Sequence, residues 1–279
     1  MDDPKLSIIT PSYNQSEVIL DTIRSVKNQD YDNVEHIVVD GGSTDGTVDI
    51  LKEHEDDYDL RWVSEEDRGQ SHALNKGIQM ADGEWIGWQN SDDYYVDGAF
   101  EIFREVVSDR PDADVVYGDL IVVDRDGTEV DRAYHTRPSK FIQRYANLMA
   151  NQAAFFKKSV FDTVGLVKEE YHYCMDIDLF WRLTRGNLTL VHTPNVLGCF
   201  RTYEGAKTGG ESKQQRHLDE RMEIQEIYGV PVYERILPTR LLRVLALLVK
   251  TVYLLADGQT EAFKQSIDRL QLSDTPVKS

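Results

Sequence analysis

The chain has 279 residues, 41% of them hydrophobic, which suits one large domain, or one domain with a helical appendage, and excludes a disordered chain. Its 49 acidic and 31 basic residues leave a formal net charge of -18, which excludes nucleic-acid binding, because phosphate backbones call for a basic surface.

The acid excess runs through residues 53–59, 64–67 and 109–114 rather than forming a tail. Such a whole-surface bias keeps a protein soluble where salt screens its self-repulsion, and it resembles a haloarchaeal or other salt-adapted proteome; an ordinary acidic enzyme is the alternative. The two cysteines, Cys174 and Cys199, form neither a metal-type pair nor a disulfide framework. The acidic start of the sequence carries no apolar signal core, so a cytoplasmic location is expected.

In chain order, the pattern predicts a strand over 6–10, a turn at 11–14 and a helix over 16–28 with Val18, Ile19, Ile23 and Val26 on one side. A strand over 36–40 follows, running apolar into Asp40, then a glycine turn and a helix over 47–54. A strand over 60–64, a helix over 71–80, a strand over 85–88, a helix over 98–108 and a strand over 115–117 continue the alternation. This rhythm implies a mostly parallel sheet flanked by helices, with ligands beyond the carboxyl ends of its strands. A hairpin over 119–134 turns at Asp126-Gly127. A strand over 153–156, a helix over 177–185 and a strand over 188–192 complete this part, and the chain reads as helical from 212. The glycine-rich stretch 205–210 divides a domain over 1–210 from a helical extension over 211–279.

Three of the strands run into polar clusters: Pro11-Ser12-Tyr13-Asn14, Asp40-Gly41-Gly42-Ser43-Thr44-Asp45-Gly46, and Gln89-Asn90-Ser91-Asp92-Asp93. A single Asp at a strand end serves equally as a turn former or helix cap, and for Asp45, just before the 47–54 helix, capping and ligand contact weigh the same. Adjacent Asp92 and Asp93 repel each other unless a cation intervenes, and a divalent metal bridging a diphosphate supplies one; hard oxygen ligands suit Mg²⁺ or Mn²⁺.

With Ile8-Ile9-Thr10-Pro11-Ser12-Tyr13-Asn14, Asp40 to Thr47, Asp67 to Gly77, Trp88 to Asp93, Met175 to Leu183, and the ending Phe200-Arg201 with Lys207-Thr208 in this order, the chain resembles an inverting family 2 glycosyltransferase of the GT-A fold, over residues 5–210. The resemblance implies that Pro11, Tyr13 and Asp40 hold the nucleotide base and ribose, with Asp40 accepting from uracil N3–H and so favouring a UDP donor. It makes Asp93 the metal ligand, places Asp92 near the ribose or sugar, and makes Asp176 the base that deprotonates the acceptor hydroxyl. Asp176 also reads as a helix N-cap, and Asp178 is the fallback base, about 200° round the helix. Asn75 and Lys76 lie in the donor segment. An Arg that many relatives carry before this Asn is Leu74 here, so Lys76 or Arg68 would make the phosphate contact; a common His is Tyr203 here. His72 and Gln152 line the sugar pocket or serve the structure. Arg201 and Lys207 close over the diphosphate or are solvated loop charges. A sugar nucleotidyltransferase stays as an alternative, although its glycine-rich loop is absent after the first strand; so does a non-catalytic sugar-nucleotide-binding partner on a degenerate fold.

Residues 241–256 are the most apolar stretch. Too short to span a bilayer, they carry Arg243 and Lys250 on one face, with Arg235 and Arg240 upstream. One reading is an interfacial helix docking on an anionic membrane that holds a lipid-linked or cell-surface glycan acceptor; the favoured one is a helix packed on the catalytic domain or in a homodimer interface.

Overall fold

The computed structural model describes residues 3–203, 211–229 and 239–272. Its first half alternates as the pattern predicts: β1 (Leu6–Ser12), α1 (Ile19–Lys27), β2 (Val34–Asp40), α2 (Thr47–His54), β3 (Leu60–Ser64), α3 (Gln70–Met80), β4 (Trp85–Trp88), the two-residue β5 (Tyr94–Tyr95) and α4 (Ala99–Asp109). The second half runs β6 (Val115–Val123), β7 (Glu129–Ala133), α5 (Lys140–Tyr145), a 3-10 turn at Asn151–Ala153, β8 (Ala154–Lys157), α6 (Val160–Val164), α7 (Met175–Arg185) and β9 (Leu190–Arg201). Three helices follow: α8 (Glu211–Ile227), α9 (Thr239–Ala256) and α10 (Thr260–Leu272).

All the strands join one sheet, ordered β3-β2-β1-β4-β8-β6-β9-β5, with β7 on β6. From β3 to β4 every pairing is parallel. Beyond β4 the sheet is mixed: β8 runs antiparallel to both β4 and β6, while β6 and β9 pair in parallel. The expectation of a parallel sheet therefore holds from β3 to β4, where helical crossovers return each strand in the same direction. β9 runs nine residues past the expected end at His192, because its far half pairs with β6 as far as Arg201.

The parallel half is buried on both faces, which is why its strands read as apolar runs rather than alternations. Leu6 and Ile8 face one core with Trp85, Phe100 and Phe155; Ile9, Ile37 and Val39 face the other with Trp88, Leu74 and Phe180. α1 closes its own flank with Ile19, Thr22, Ile23 and Val26 at its helical spacing.

Two features of the C-terminal helices bear on function. Ile224 of α8 is fully buried in the core cluster that holds Trp181 and Phe180, so α8 shares that core with α7; the expected boundary at 205–210 lies outside the described residues. α9 packs Leu242 and Ala246 against Tyr145 of α5, as the packing reading expects. Leu241, Leu248, Val252 and Leu255, spaced along one face, remain exposed. Arg243 lies about 200° round the helix from Leu241, away from that stripe. Arg235 lies outside the described residues, as does the side chain of Arg240. No described helix is long and apolar enough to cross a membrane.

Candidate active site

Parallel register brings three strand ends to one edge. Ser12 is paired with Asp40, Asp40 with Ser64, and Ile9 with Trp88, so the loops after β1, β2 and β4 emerge side by side. Pro11 is buried at this edge, whereas Tyr13 is 61% exposed beside it and free to stack on a ring. The first two loops are laced together: Asn14 Oδ1 accepts from Thr44 N at 2.9 Å, and Asp45 Oδ2 accepts from Ser16 N at 2.9 Å. Asp45 also accepts from Thr47 N, the first residue of α2, at 3.1 Å, beside the N-cap residue Gly46; against burial, which raises it, these hydrogen bonds bring its carboxyl down to about 2.

Asp40 is fully buried, and its carboxylate serves its own turn. Oδ2 accepts from Gly42 N at 3.1 Å, Ser43 N at 2.8 Å and Ser64 Oγ at 2.6 Å, and Oδ1 accepts from Ser43 Oγ. Asn75 is similarly committed: Nδ2 donates to Val167 O at 2.7 Å, and Oδ1 accepts from Val167 N at 3.0 Å, which clamps the segment leading to α7 onto α3. Lys76 pairs with Glu65 and Arg68 with Glu169, at the surface, where such pairs are cheap to open.

The turn after β4 puts its two carboxylates in different environments. Asp92 is half-buried, whereas Asp93 is 1% exposed. Asp93 Oδ2 accepts from Asn90 Nδ2 at 2.9 Å and Gln152 Nε2 at 2.8 Å, and its Oδ1 accepts from Arg201 N at 2.9 Å. Its three donors are neutral amides. Burial, and then the charge on Asp92, push the Asp93 carboxyl up to about 8. The Arg201 guanidinium makes no hydrogen bond to the Asp93 carboxylate. Arg201 is 4% exposed, and its guanidinium donates to Asp92 O at 3.1 Å, Arg125 O at 2.7 Å and Asp21 Oδ2 at 2.6 Å. It is neither solvated nor open to a ligand, and it holds the turn in place. Tyr203 donates weakly to Asp92 Oδ2 at 3.4 Å. Lys207 lies outside the described residues.

A short relay links this turn to α7. Gln70 Nε2 donates to Asn90 Oδ1 at 2.7 Å, and the neighbouring Ser71 Oγ lies 3.1 Å from Met175 Sδ. The first turn of α3 thus touches the Asp92–Asp93 turn on one side and the start of α7 on the other. Asp176, next in chain, is half-buried. Cys174 holds the N-cap position of α7 and Asp176 sits inside the first turn, where its Oδ1 accepts from Ile177 N at 2.8 Å and its Oδ2 is not part of that bond. Asp178 is fully buried and spoken for: it accepts from Arg182 Nε at 2.8 Å and Tyr228 Oη at 2.7 Å, with Lys168 Nζ at 3.2 Å. Both of its oxygens are thus engaged within the protein.

Gln152 and Asn90 build the cradle of Asp93. Thr22 of α1 holds the same turn from below, donating to Asp93 O at 2.6 Å. Nothing local in the sequence marks Thr22, since the contact spans 71 residues. His72 has a buried Nδ1 without a hydrogen-bond partner, next to Ser71 in the relay. Among the described residues no three His, Cys, Asp or Glu side chains form a ready-made metal cage.

A mixed α/β sheet flanked by helices, with an acidic turn at the carboxyl edge of its parallel half, is a GT-A-like fold. Residues 7–165, more than half of the chain, match the family model described as Glycosyl transferase family 2, and the chain belongs to that family. It is 37% identical over 138 residues, 49% of this chain and 54% of the relative, to the putative teichuronic acid biosynthesis glycosyltransferase TuaG of Bacillus subtilis; the match thus spans about half of that relative's length. It is 28% identical over 184 residues, 63% of this chain and 68% of the relative, to a PGL/p-HBAD biosynthesis glycosyltransferase of Mycobacterium bovis. Among solved structures, the fold is similar to the mannosyltransferase PcManGT from Pyrobaculum calidifontis in complex with GDP-Man and Mn²⁺ (TM-score 0.63, 19% identity, 99% of this chain and 88% of that one). It is also similar to S. aureus TarS in complex with UDP (TM-score 0.61, 18% identity, 80% and 65%).

Proposed function

We propose that this chain is a metal-dependent, inverting glycosyltransferase, and moves a sugar from a nucleotide-diphosphate donor, UDP-sugar favoured, to an acceptor hydroxyl. The observation that carries the reading is Asp93: a buried carboxylate beside a second one, cradled only by neutral amides and pushed up to about 8. That is the electrostatics of a carboxylate built to meet a cation. The hard oxygens of Asp93 would suit Mn²⁺ or Mg²⁺, with Asp92 beside it near the ribose or sugar of the donor. When bound, the cation neutralises charge developing on the leaving diphosphate.

Asp176 is the residue at this edge suited to take the acceptor proton, because Asp178 is neutralised by Arg182 and Lys168. As the acceptor oxygen bonds to the anomeric carbon, its proton passes to Asp176, and the bond to the diphosphate breaks with its electrons leaving on the phosphate oxygen. Attack opposite the leaving group inverts the centre. Such base catalysis contributes roughly 10²–10⁴-fold. Tyr13 stacks on the base, Pro11 borders it, and Lys76 turns from Glu65 to the phosphates, with Lys207 assigned to the same charge from the sequence alone. Asn75, Asp40 and Arg201 act by holding the loops. Because Asp40 already accepts from Ser43, Gly42 and Ser64, a uracil N–H would compete with them, and a guanosine diphosphate donor is the second reading. The names of the relatives, teichuronic acid and PGL/p-HBAD biosynthesis, support a glycan or lipid-linked acceptor in cell-surface assembly. Contact with a membrane face or a second copy through the exposed stripe of α9, and a salt-rich cytoplasmic setting, belong to the same proposal.

The test is thermal shift in molar KCl with UDP, GDP and other nucleoside diphosphates, with and without Mn²⁺, for the wild type and Asp93→Ala. Stabilisation by UDP that needs Mn²⁺ and vanishes in the variant is expected. Stabilisation by GDP instead moves the donor, and no shift with any nucleotide in a folded protein overturns the proposal.

A further inference from the structure

The start of α7 has an unusual cap. A helix leaves its first N–H groups without intrahelical partners, and a nearby Ser, Thr, Asp or Asn commonly satisfies them. Here the N-cap residue, Cys174, makes no side-chain cap hydrogen bond. Within the helix, Ile177 N donates to Asp176 Oδ1 at 2.8 Å; just before it, the Glu220 carboxylate, reaching in from α8, accepts from His172 N at 3.0 Å, Tyr173 N at 2.7 Å and Cys174 N at 2.8 Å. Its contacts span 46 to 48 residues of chain and end two residues before Asp176.

The rest of α8 follows α7 along its length. Cys174 Sγ donates to His217 O at 3.3 Å, Tyr228 Oη donates to Asp178 Oδ1 at 2.7 Å, and the Tyr228 ring stacks on Trp181 at 5.4 Å with planes 4° apart. Arg221, the neighbour of Glu220, lies close enough to interact electrostatically with Asp176. The stretch before α7 is fastened at its other end, where Asn75 grips both backbone groups of Val167. Asp176 therefore stands on a segment clamped by α3 at one end and by α8 at the other.

We infer that Glu220 is a positioning residue for the reaction: by receiving three N–H groups at the mouth of α7, it fixes the height and direction of the Asp176 carboxylate over the donor edge. This rests on the reading of Asp176 as the base. It also gives α8 a catalytic task. Arg201, at the end of β9, steadies Asp93, and Glu220, on the next described element, steadies Asp176. The two functional carboxylates are thus held from one continuous stretch of chain.

The requirement is geometric. Misplacement of a reacting group by about 1 Å costs on the order of 10²-fold in rate, while donor binding at the far side of the site is untouched. The experiment measures kcat and donor KM for Mn²⁺-dependent hydrolysis of UDP-N-acetylglucosamine or GDP-mannose, whichever nucleotide the thermal-shift panel selects, in full-length wild type, Glu220→Ala, Glu220→Gln and Asp176→Asn. Glu220→Ala is expected to lower kcat about 10- to 100-fold with donor KM within about twofold. Glu220→Gln keeps an acceptor oxygen, is expected to recover most of the loss, and guards against an alanine variant that fails to fold. The inference is overturned if Glu220→Ala turns over within twofold of wild type, or if kcat and donor KM deteriorate together and equally in both Glu220 variants. Asp176→Asn separates the layers. Wild-type turnover there removes the base and this inference with it; loss there, with wild-type turnover in Glu220→Ala, removes this inference alone.

Discussion

The molecule holds two pairs of carboxylates at its candidate site, and in each pair one member is buried while its neighbour is half-exposed. Asp178 is buried against Arg182 and Lys168, so its charge is cancelled inside the protein. Asp93 is buried against the side-chain amides of Asn90 and Gln152 and the backbone N–H of Arg201, so its charge is solvated but not cancelled. Burying a paired charge is tolerable and burying an unpaired one is expensive. Asp178 is therefore electrostatically closed, whereas Asp93 has no charged partner within hydrogen-bond reach among the described residues. The Arg201 guanidinium could have closed it, but its donors go to Asp92 O, Arg125 O and Asp21.

The largest expected difference is in turnover. Asp176→Asn should lower kcat by roughly 10²–10⁴-fold, leaving Mn²⁺-dependent nucleotide binding within about twofold, measured by isothermal titration. Asp178→Asn should instead act through stability and leave kcat of the folded fraction near wild type. A folded Asp178→Asn that binds nucleotide but does not turn over would invert the assignment of the two residues.

Stability in EDTA sharpens the comparison next. Removing Asp178 strands Arg182 and Lys168 next to a core, so Asp178→Ala should cost about 3–5 kcal/mol in urea unfolding. Asp93→Asn should cost little, and its effect should depend on pH. The folded carboxyl titrates at about 8, above its ordinary value of 3.8. The folded chain therefore holds a proton that the unfolded chain has released, and wild-type stability falls as pH rises between those values. Near pH 4 the substitution should be almost silent, and by pH 8–9 Asp93→Asn should be the more stable protein. A loss at pH 9 as large as that of Asp178→Ala would mean that Asp93 is paired after all.

This distinction was only half legible in the sequence. Hydrophobic periodicity placed the elements of the parallel half within a few residues, because strands there are short apolar runs between turn signals. The Asp92-Asp93 pair and the 175–183 segment were recognisable as motifs. What the motifs did not contain is the partner of each carboxylate. Tyr228 reaches Asp178, Gln152 and Arg201 reach Asp93, and Glu220 reaches the start of α7, each from a distant part of the chain. Asn75 and Arg201 carried the residue types of ligand contacts, yet their donors are committed to Val167, and to Asp92, Arg125 and Asp21. The far half of β9 was missed because Pro194, Asn195 and Gly198 interrupt its alternation, and Gly198 has a reason to be there.

That reason yields the smallest effect and the most local test of Asp93. A Cβ on Gly198 would lie 2.0 Å from Gln152 O, so β9 and the 3-10 turn approach closely only because residue 198 has no side chain. The approach seats Gln152 with its Nε2 on Asp93 Oδ2. Gly198→Ala must push that turn away, at about 1–3 kcal/mol of overpacking. If the amide cradle is what keeps an unpaired Asp93 tolerable, the same variant should weaken Mn²⁺-dependent nucleotide binding several-fold while leaving the Asp178 cluster intact, as judged by unchanged amide protection in α7. Mn²⁺ response at wild-type strength in a destabilised Gly198→Ala would show that the cation does not depend on the position Gln152 gives to Asp93, and the contrast between the two pairs would then rest on burial alone.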